Sequence, residues 1–219
     1  MASEKNMTEV YFEWWLEELK SHGLVKEYTR EPKTFELYAA LPIYYNQHYN
    51  KKEPIIKNFN LFQPITYTPD YKVVFDKRML NKLFGTIDIN SSEIDEWGFS
   101  KPGSIFQETL FYSTSDMKEG NFELWFDVKP PSSALRFSGS LGSSRDFPIK
   151  QRLVYEKFGI IINKVVPIGN KNSLFSKTFM PERYKWTDKS GQLRKMKDYE
   201  KSSKFLKDYC TTKDINIFF

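Results

Sequence analysis

One cysteine, Cys210, and two histidines, His22 and His48, are all that the 219-residue chain carries of these metal-binding and nucleophilic side chains. A lone thiol excludes an internal disulfide framework and a cysteine-rich zinc site. Two histidines leave little support for histidine metal sites or histidine-dependent triads. No run of about eighteen apolar residues occurs, so no membrane-spanning helix is expected. The opening MASEKNMTEV lacks the basic-then-apolar layout of a secretory signal, and a cytoplasmic setting is expected. Whatever chemistry the chain performs must lean on carboxylates and lysines.

What is present is a core-forming, unevenly charged chain. Hydrophobic residues make up 40% and aromatics 17%, enough for one sizeable core, while 28% charge and a mean hydropathy of −0.58 place it among water-facing proteins. The net charge of +5 conceals an asymmetry. Residues 147–219 carry 16 Lys and Arg against 7 Asp and Glu, whereas residues 1–146 carry 17 against 21. A basic last third beside a mildly acidic body suits a polyanion met next to a carboxylate site, though a solvated lysine-rich surface gives the same count.

Residues 7–22 predict an amphipathic helix with an apolar face of Val10, Phe12, Trp14, Leu16 and Leu19. Asn6 or Thr8 serves as its N-cap, and Gly23 stands where it ends. Leu24-Val25 reads as a connector. FELYAALPIYYN and FNLFQPITYTPDYKVVF predict strands broken by Pro42, Pro64 and Pro69. Residues 76–120 read as an insertion, partly strand. FELWFDVK, 122–129, is the most strand-like run, ended by Pro130-Pro131. A Ser/Gly-rich loop containing Arg136 and Arg145 follows, then a short helix stopped by Gly159, then the strand IIINKVVPI. The tail from Ser173 is basic and aromatic, with 198–209 expected helical and TDKSGQ a candidate hairpin turn.

Two pieces of this pattern carry chemistry. Pro69-Asp70 lies in one strand region, and Asp127-Val128-Lys129 lies in another. Residues i and i+2 of a strand share a face, so Asp127 and Lys129 project side by side. Helix, strands, Pro-Asp, an acidic residue with a one-residue spacer to Lys, helix and strand together resemble the PD-(D/E)XK nucleases. The resemblance spans roughly 7–75 and 122–168 and is closest to phage resolvase-like endonucleases. It implies an α/β fold, a restriction-endonuclease-like mixed β-sheet flanked by helices. Residues 1–172 would form the nuclease core, with the 76–120 insertion, and 173–219 a basic aromatic extension packed on it.

The resemblance also implies roles. Asp70, Asp127 and a carboxylate from the first helix, Glu9 with Glu13 in reserve, would hold Mg²⁺ or Mn²⁺. Lys129 would stabilise charge or position the attacking water. Gln151 and Tyr155 match a QxxxY helix motif that flanks the site, so the catalytic set is Glu9, Asp70, Asp127, Lys129, Gln151 and Tyr155. Lys150, Arg183, Lys185, Arg194, Lys195 and Lys197 are the candidate DNA contacts, interleaved with Phe179, Tyr184 and Trp186 for packing or base stacking. The implied activity is DNA hydrolysis, on branched DNA such as a Holliday junction by analogy, in a phage-encoded enzyme of a bacterial host cell. Cutting two strands symmetrically would call for a homodimer.

Plainer roles stand beside each of these. Pro69-Asp70 can be a turn, Asp127 and Lys129 an exposed ion pair, and Glu9 a first-turn carboxylate favoured by the helix dipole. Gln151 and Tyr155 can be a helix-surface amide and a core aromatic. The rival functions are a DNA-binding protein that keeps the fold without cutting, and a phage structural or partner-binding protein.

Overall fold

The computed structural model describes residues 6–47, 55–86, 110–113, 120–130, 146–168, 173–186 and 214–219. The expected helix at 198–209, the TDKSGQ turn and the Ser/Gly loop with Arg136 and Arg145 lie outside these residues.

Helix α1, Met7–Ser21, starts where the Asn6 side chain accepts the Thr8 amide proton at 3.2 Å. It ends in a Schellman motif. Leu24 N–H returns to Leu19 O and Gly23 N–H to Lys20 O, both at 2.9 Å, while Gly23 takes a φ of 67° that a side chain would resist. The buried face is Phe12, Trp15, Leu16 and Leu19, not the expected stripe through Val10 and Trp14, which are half-buried. Positions 12, 15, 16 and 19 follow the i, i+3, i+4, i+7 spacing, and burying each contributes roughly 1.5–3 kcal/mol.

Directly after Gly23 comes β1, Val25–Arg30, where the sequence reads as a connector. It is an edge strand with only Val25 buried, so its residues carry little apolar alternation. The chain then runs through β2, Phe35–Tyr38, β3, Leu41–Gln47, β4, Ile55–Phe62, β5, Ile65–Tyr67, and β6, Tyr71–Asp76. Pairing is nested: β1 with β6, β2 with β5 and β3 with β4, all antiparallel. The described strands β1–β6 thus nest as one long hairpin whose outer part, β3–β4, forms an arm. Pro64 and Pro69 mark breaks as expected, but Pro42 sits inside β3 beside an irregularity in register, and the break falls at Ala39-Ala40.

Two short strands, β7 (Phe84–Thr86) and β8 (Phe111–Ser113), pair in parallel within the expected insertion. Strand β9, Asn121–Val128, follows, then α2, Asp146–Phe158, ended by Gly159 at φ 66°, and β10, Ile162–Val165. The central sheet has the order β1-β6-β9-β10. Its first three strands are antiparallel and β10 runs parallel to β9, a pairing that requires a crossover, which α2 provides.

Period-2 alternation divides the sheet into two faces. Tyr71, Val73 and Phe75 of β6 and Phe122, Leu124 and Phe126 of β9 join the core that α1 covers. Trp125 turns the other way and packs with Phe35, Tyr67, Phe147, Val154 and Ile162, the cluster beneath α2. The architecture is therefore a mixed α/β fold with a helix on each face of a mixed sheet.

The last elements are short helices, α3 (Leu174–Lys177) and α4 (Glu182–Trp186), and a closing 3₁₀ turn at Ile215–Phe218. Trp15 Nε1 donates to Thr178 Oγ1 at 3.1 Å, and the Phe179 ring stacks on Trp15. Tyr184 meets Tyr11 and Phe175 edge-on. Phe179 and Tyr184 pack on the body, Phe179 just after α3 and Tyr184 within α4, where the sequence offered the first half of a hairpin. No helix among the described residues is long and apolar enough to cross a membrane.

Candidate active site

The β6–β9 ladder aligns Tyr71 with Phe126, so Asp70, the residue before β6, meets Asp127, the next-to-last residue of β9. Neither side chain points at α1. The alternation that sends Tyr71 and Phe126 into the α1 core sends their neighbours to the opposite face, at the edge of the α2 cluster. Asp127 is 2% exposed. The Val128 N–H donates to Asp70 Oδ2 at 2.6 Å, fixing that carboxylate against the β9 backbone.

Lys129 follows β9 directly, and its own N–H donates to Val165 O at 2.8 Å, which anchors the residue to β10. Its ammonium forms an ion pair with the buried Asp127 Oδ1. The same ammonium lies 5.4 Å from the centre of the Phe147 ring in the first turn of α2. The side-by-side placement expected from the one-residue spacer is therefore realised, in a half-buried setting.

A residue that sequence reasoning passed over completes the cluster. Tyr67, at the end of β5, is buried and donates its hydroxyl to Asp127 Oδ2. Burial and the neighbouring Asp127 carboxylate push its phenol pKa well up, so it stays a donor. Its signal in the sequence is slight: a phenol three residues before Asp70, where a buried carboxylate needs a partner.

Two carboxylates confined together cannot both ionise freely. Burial first, then the Asp127 charge, push the Asp70 pKa up to about 7, against the opposing effects of the Val128 amide and Lys129. Asp70, holding a proton below about pH 7, would exchange it for a hard cation. The donor chemistry fits Mg²⁺ or Mn²⁺, with Asp70 and Asp127 as the protein oxygens.

Glu9 does not join this group. It projects from α1, on the far side of the sheet, and pairs with Arg30 at 2.8 Å. Glu13 accepts the Tyr71 hydroxyl at 2.9 Å. Among the described residues no group of three His, Cys, Asp or Glu side chains is gathered for a metal ion.

The remaining expected residues scatter. Gln151 donates its side-chain amide to Ile162 O, tying α2 to β10. Lys150 and Tyr155 are half-buried on the same helix. Arg183, on α4, is exposed and places its guanidinium 4.8 Å from the Trp14 ring centre. Lys185 belongs to α4, and Arg194, Lys195 and Lys197 lie outside the described residues. No protein-family model, curated protein or solved structure matches this chain.

Proposed function

We propose that this chain is a metal-dependent endonuclease of the PD-(D/E)XK kind that hydrolyses DNA. The observation that carries the reading is the convergence of Asp70, just before β6, with Asp127 and Lys129, at and just after the end of the adjacent β9, and one buried oxygen of Asp127 facing the lysine ammonium. Chance occurrences of the motif in sequence have no reason to meet at one end of one ladder. The order helix, three antiparallel strands, helix, parallel strand also supports a restriction-endonuclease-like core.

In this reading Asp70 and Asp127 hold Mg²⁺ or Mn²⁺. The cation supplies Lewis acidity toward a phosphate oxygen and lowers the pKa of water. Tyr67 and the Val128 amide orient the two carboxylates. Lys129, paired with Asp127 in this structure, would stabilise negative charge developing on a bound phosphate. Glu9 is committed to Arg30 and is a supporting residue. Lys150 and Arg183, with the basic positions Lys185, Arg194, Lys195 and Lys197, are the proposed phosphate contacts. Branched DNA is the proposed substrate by analogy, and fold alone does not fix substrate.

One observation favours a second reading, a DNA-binding protein that keeps the site without cutting. Both candidate metal carboxylates outside Asp70 are already neutralised, Asp127 by Lys129 and Glu9 by Arg30. Incubation with Mg²⁺ or Mn²⁺ and linear, single-stranded, nicked and four-way-junction DNA separates the two. Metal-dependent cutting supports the nuclease and ranks its substrates, whereas binding without cutting of any of them supports the second reading.

A further inference from the structure

The face of the sheet that carries Asp70 and Asp127 also carries cations that the candidate site does not use. Strand alternation puts Lys72 of β6 and Trp125 of β9 on this face, opposite one another in the ladder, and Trp125 stands two residues before Asp127. Trp125 packs against Phe35 of β2 with ring centres 5.4 Å apart, and Phe35 packs against Phe158 of α2 at 4.9 Å. Phe35 also pairs in the β2–β5 ladder with Tyr67, whose hydroxyl donates to Asp127. The aromatic cluster thus begins beside the site and runs to the end of α2.

Lysine ammoniums rim this cluster. Lys33 lies 5.2 Å from the centre of the Phe35 ring and 5.8 Å from that of Phe158. Lys157 lies 5.7 Å from the Phe158 centre and donates to Glu36 O at 2.9 Å. Lys72, 6.0 Å from the Trp125 centre, is paired with Glu123 at 3.3 Å. The loop that bears Lys33 is tied to the site, because Glu31 N–H donates to Asp70 O at 2.8 Å and the Thr34 and Thr68 hydroxyls share a hydrogen bond of 2.8 Å. Lys33 and Lys157 are exposed, and among the described residues no carboxylate pairs with either. An aromatic face holds an ammonium in place without neutralising it, so both charges remain on offer to an anion.

We propose that Lys33 and Lys157 form a track for the sugar-phosphate backbone of a nucleic acid whose next phosphates reach the Asp70–Asp127 site. The inference rests on the reading above that this site meets a nucleic acid, whether or not it cuts one. Charge complementarity selects the occupant, since a polyanion neutralises both unpaired cations at once and releases their counterions. Arg183 sits over Trp14 of α1, on the opposite face of the sheet, so backbone contacts beside the site fall to the two lysines. That they are lysines defines what the track does. A compact ammonium meets phosphate as a point charge and lacks the planar fork that reads a guanine edge bidentately. The track therefore positions the backbone and does not read sequence.

Equilibrium binding of the full chain to duplex DNA of two unrelated sequences, in EDTA and across salt concentrations, tests it. In the double variant Lys33→Gln, Lys157→Gln the slope of log K against log salt should flatten by about 1.8, equally for both sequences, because each lost phosphate contact is worth about 0.9. Lys33→Arg with Lys157→Arg should keep the native slope. The charge-matched variant Lys20→Gln, Lys177→Gln, on α1 and α3, should also keep it. An unchanged slope in the folded double variant overturns the inference, as does equal flattening in the charge-matched variant or flattening for one sequence alone. Should the double variant not fold, Lys33→Gln, whose ammonium rests on ring faces, must flatten the slope by about 0.9, and an unchanged slope there overturns the track. A native chain that cuts DNA while the variants keep its slope loses the track and keeps the nuclease reading. A native chain that binds no nucleic acid loses both.

Discussion

Asp70, the residue that leads into β6, and Asp127, near the end of the neighbouring antiparallel β9, carry their carboxyls on one face of the sheet, and the Val128 amide clamps Asp70 in that position at 2.6 Å. The pairing has a cost that depends on pH. The Asp70 carboxyl, with an ordinary value of 3.8, is pushed up to about 7 in the folded chain, so between those values the native state holds a proton that the unfolded state has lost. Stability of the metal-free protein therefore falls as pH rises from about 4 to 7 and levels off above. At about 1.4 kcal/mol for each pH unit of that window, the loss reaches a few kcal/mol. Asp70→Asn should raise the Tm at pH 8 and leave it nearly unchanged at pH 4, measured by thermal denaturation without divalent cations.

Divalent cations should reverse that penalty. Adding Mg²⁺ or Mn²⁺ at pH 8 is expected to raise the Tm, by about 1.4 kcal/mol of stability for each tenfold excess over Kd. At pH 5, where Asp70 keeps its proton, the gain should be much smaller. Asp127→Asn should abolish it, and equal gains in both proteins would remove the metal from this site.

Tyr67 is the residue whose role is most easily separated from folding. Tyr67→Phe leaves Asp127 Oδ2 buried without its donor, which costs about 1–3 kcal/mol in the metal-free protein. With Mn²⁺ saturating, the deficit should shrink, because the cation engages the same carboxylate. Denaturant unfolding with and without Mn²⁺ measures both values.

Lys129→Met is expected to separate binding from chemistry. The substitution keeps an unbranched side chain and removes the charge beside Asp127 and over the Phe147 ring. Mn²⁺ affinity should hold or rise, while the cleavage rate falls about 100-fold or more, in line with loss of a charge-stabilising group. A cleavage rate within a few-fold of the native value would take Lys129 out of the reaction.

Glu9→Gln tests the residue that the structure moves away from the site. Breaking its ion pair with Arg30, with both side chains about one-fifth exposed, should lower stability by about 1 kcal/mol. Cleavage should stay within tenfold of native, far from the loss expected of Asp127→Asn. Equal losses would mean that Glu9 leaves Arg30 to serve the metal.

Legibility in the sequence followed burial contrast. Strand β9 was plain because Phe122, Leu124, Phe126 and Val128 alternate with polar or half-buried positions, and α2 because Gly159 ends it. The nearness of Asp127 and Lys129 was legible through the two-residue period of a strand, whereas Asp70 was singled out by the Pro-Asp of the resemblance. Strand β1 was not, since only Val25 is buried and an edge strand needs no apolar alternation. On α1, Phe12, Leu16 and Leu19 are buried as expected, but Trp15 takes the place expected of Trp14, because the two are adjacent and only packing against Phe179 chooses between them. Glu9 looked catalytic from its place on the helix, but which face of the sheet α1 covers is a tertiary fact. The arm was hidden for the same reason: nested pairing of β1–β6 depends on contacts far apart in the chain.

The measurement that bears most directly on the central claim is phosphodiester cleavage of a labelled four-way junction and its matching duplex, by the native chain and by Asp127→Asn, with Mg²⁺ or EDTA present. The account predicts cutting by the native chain only with Mg²⁺ and a loss of at least about 100-fold in the variant. Failure of the native chain to cut, or cutting that continues undiminished in Asp127→Asn, would contradict it.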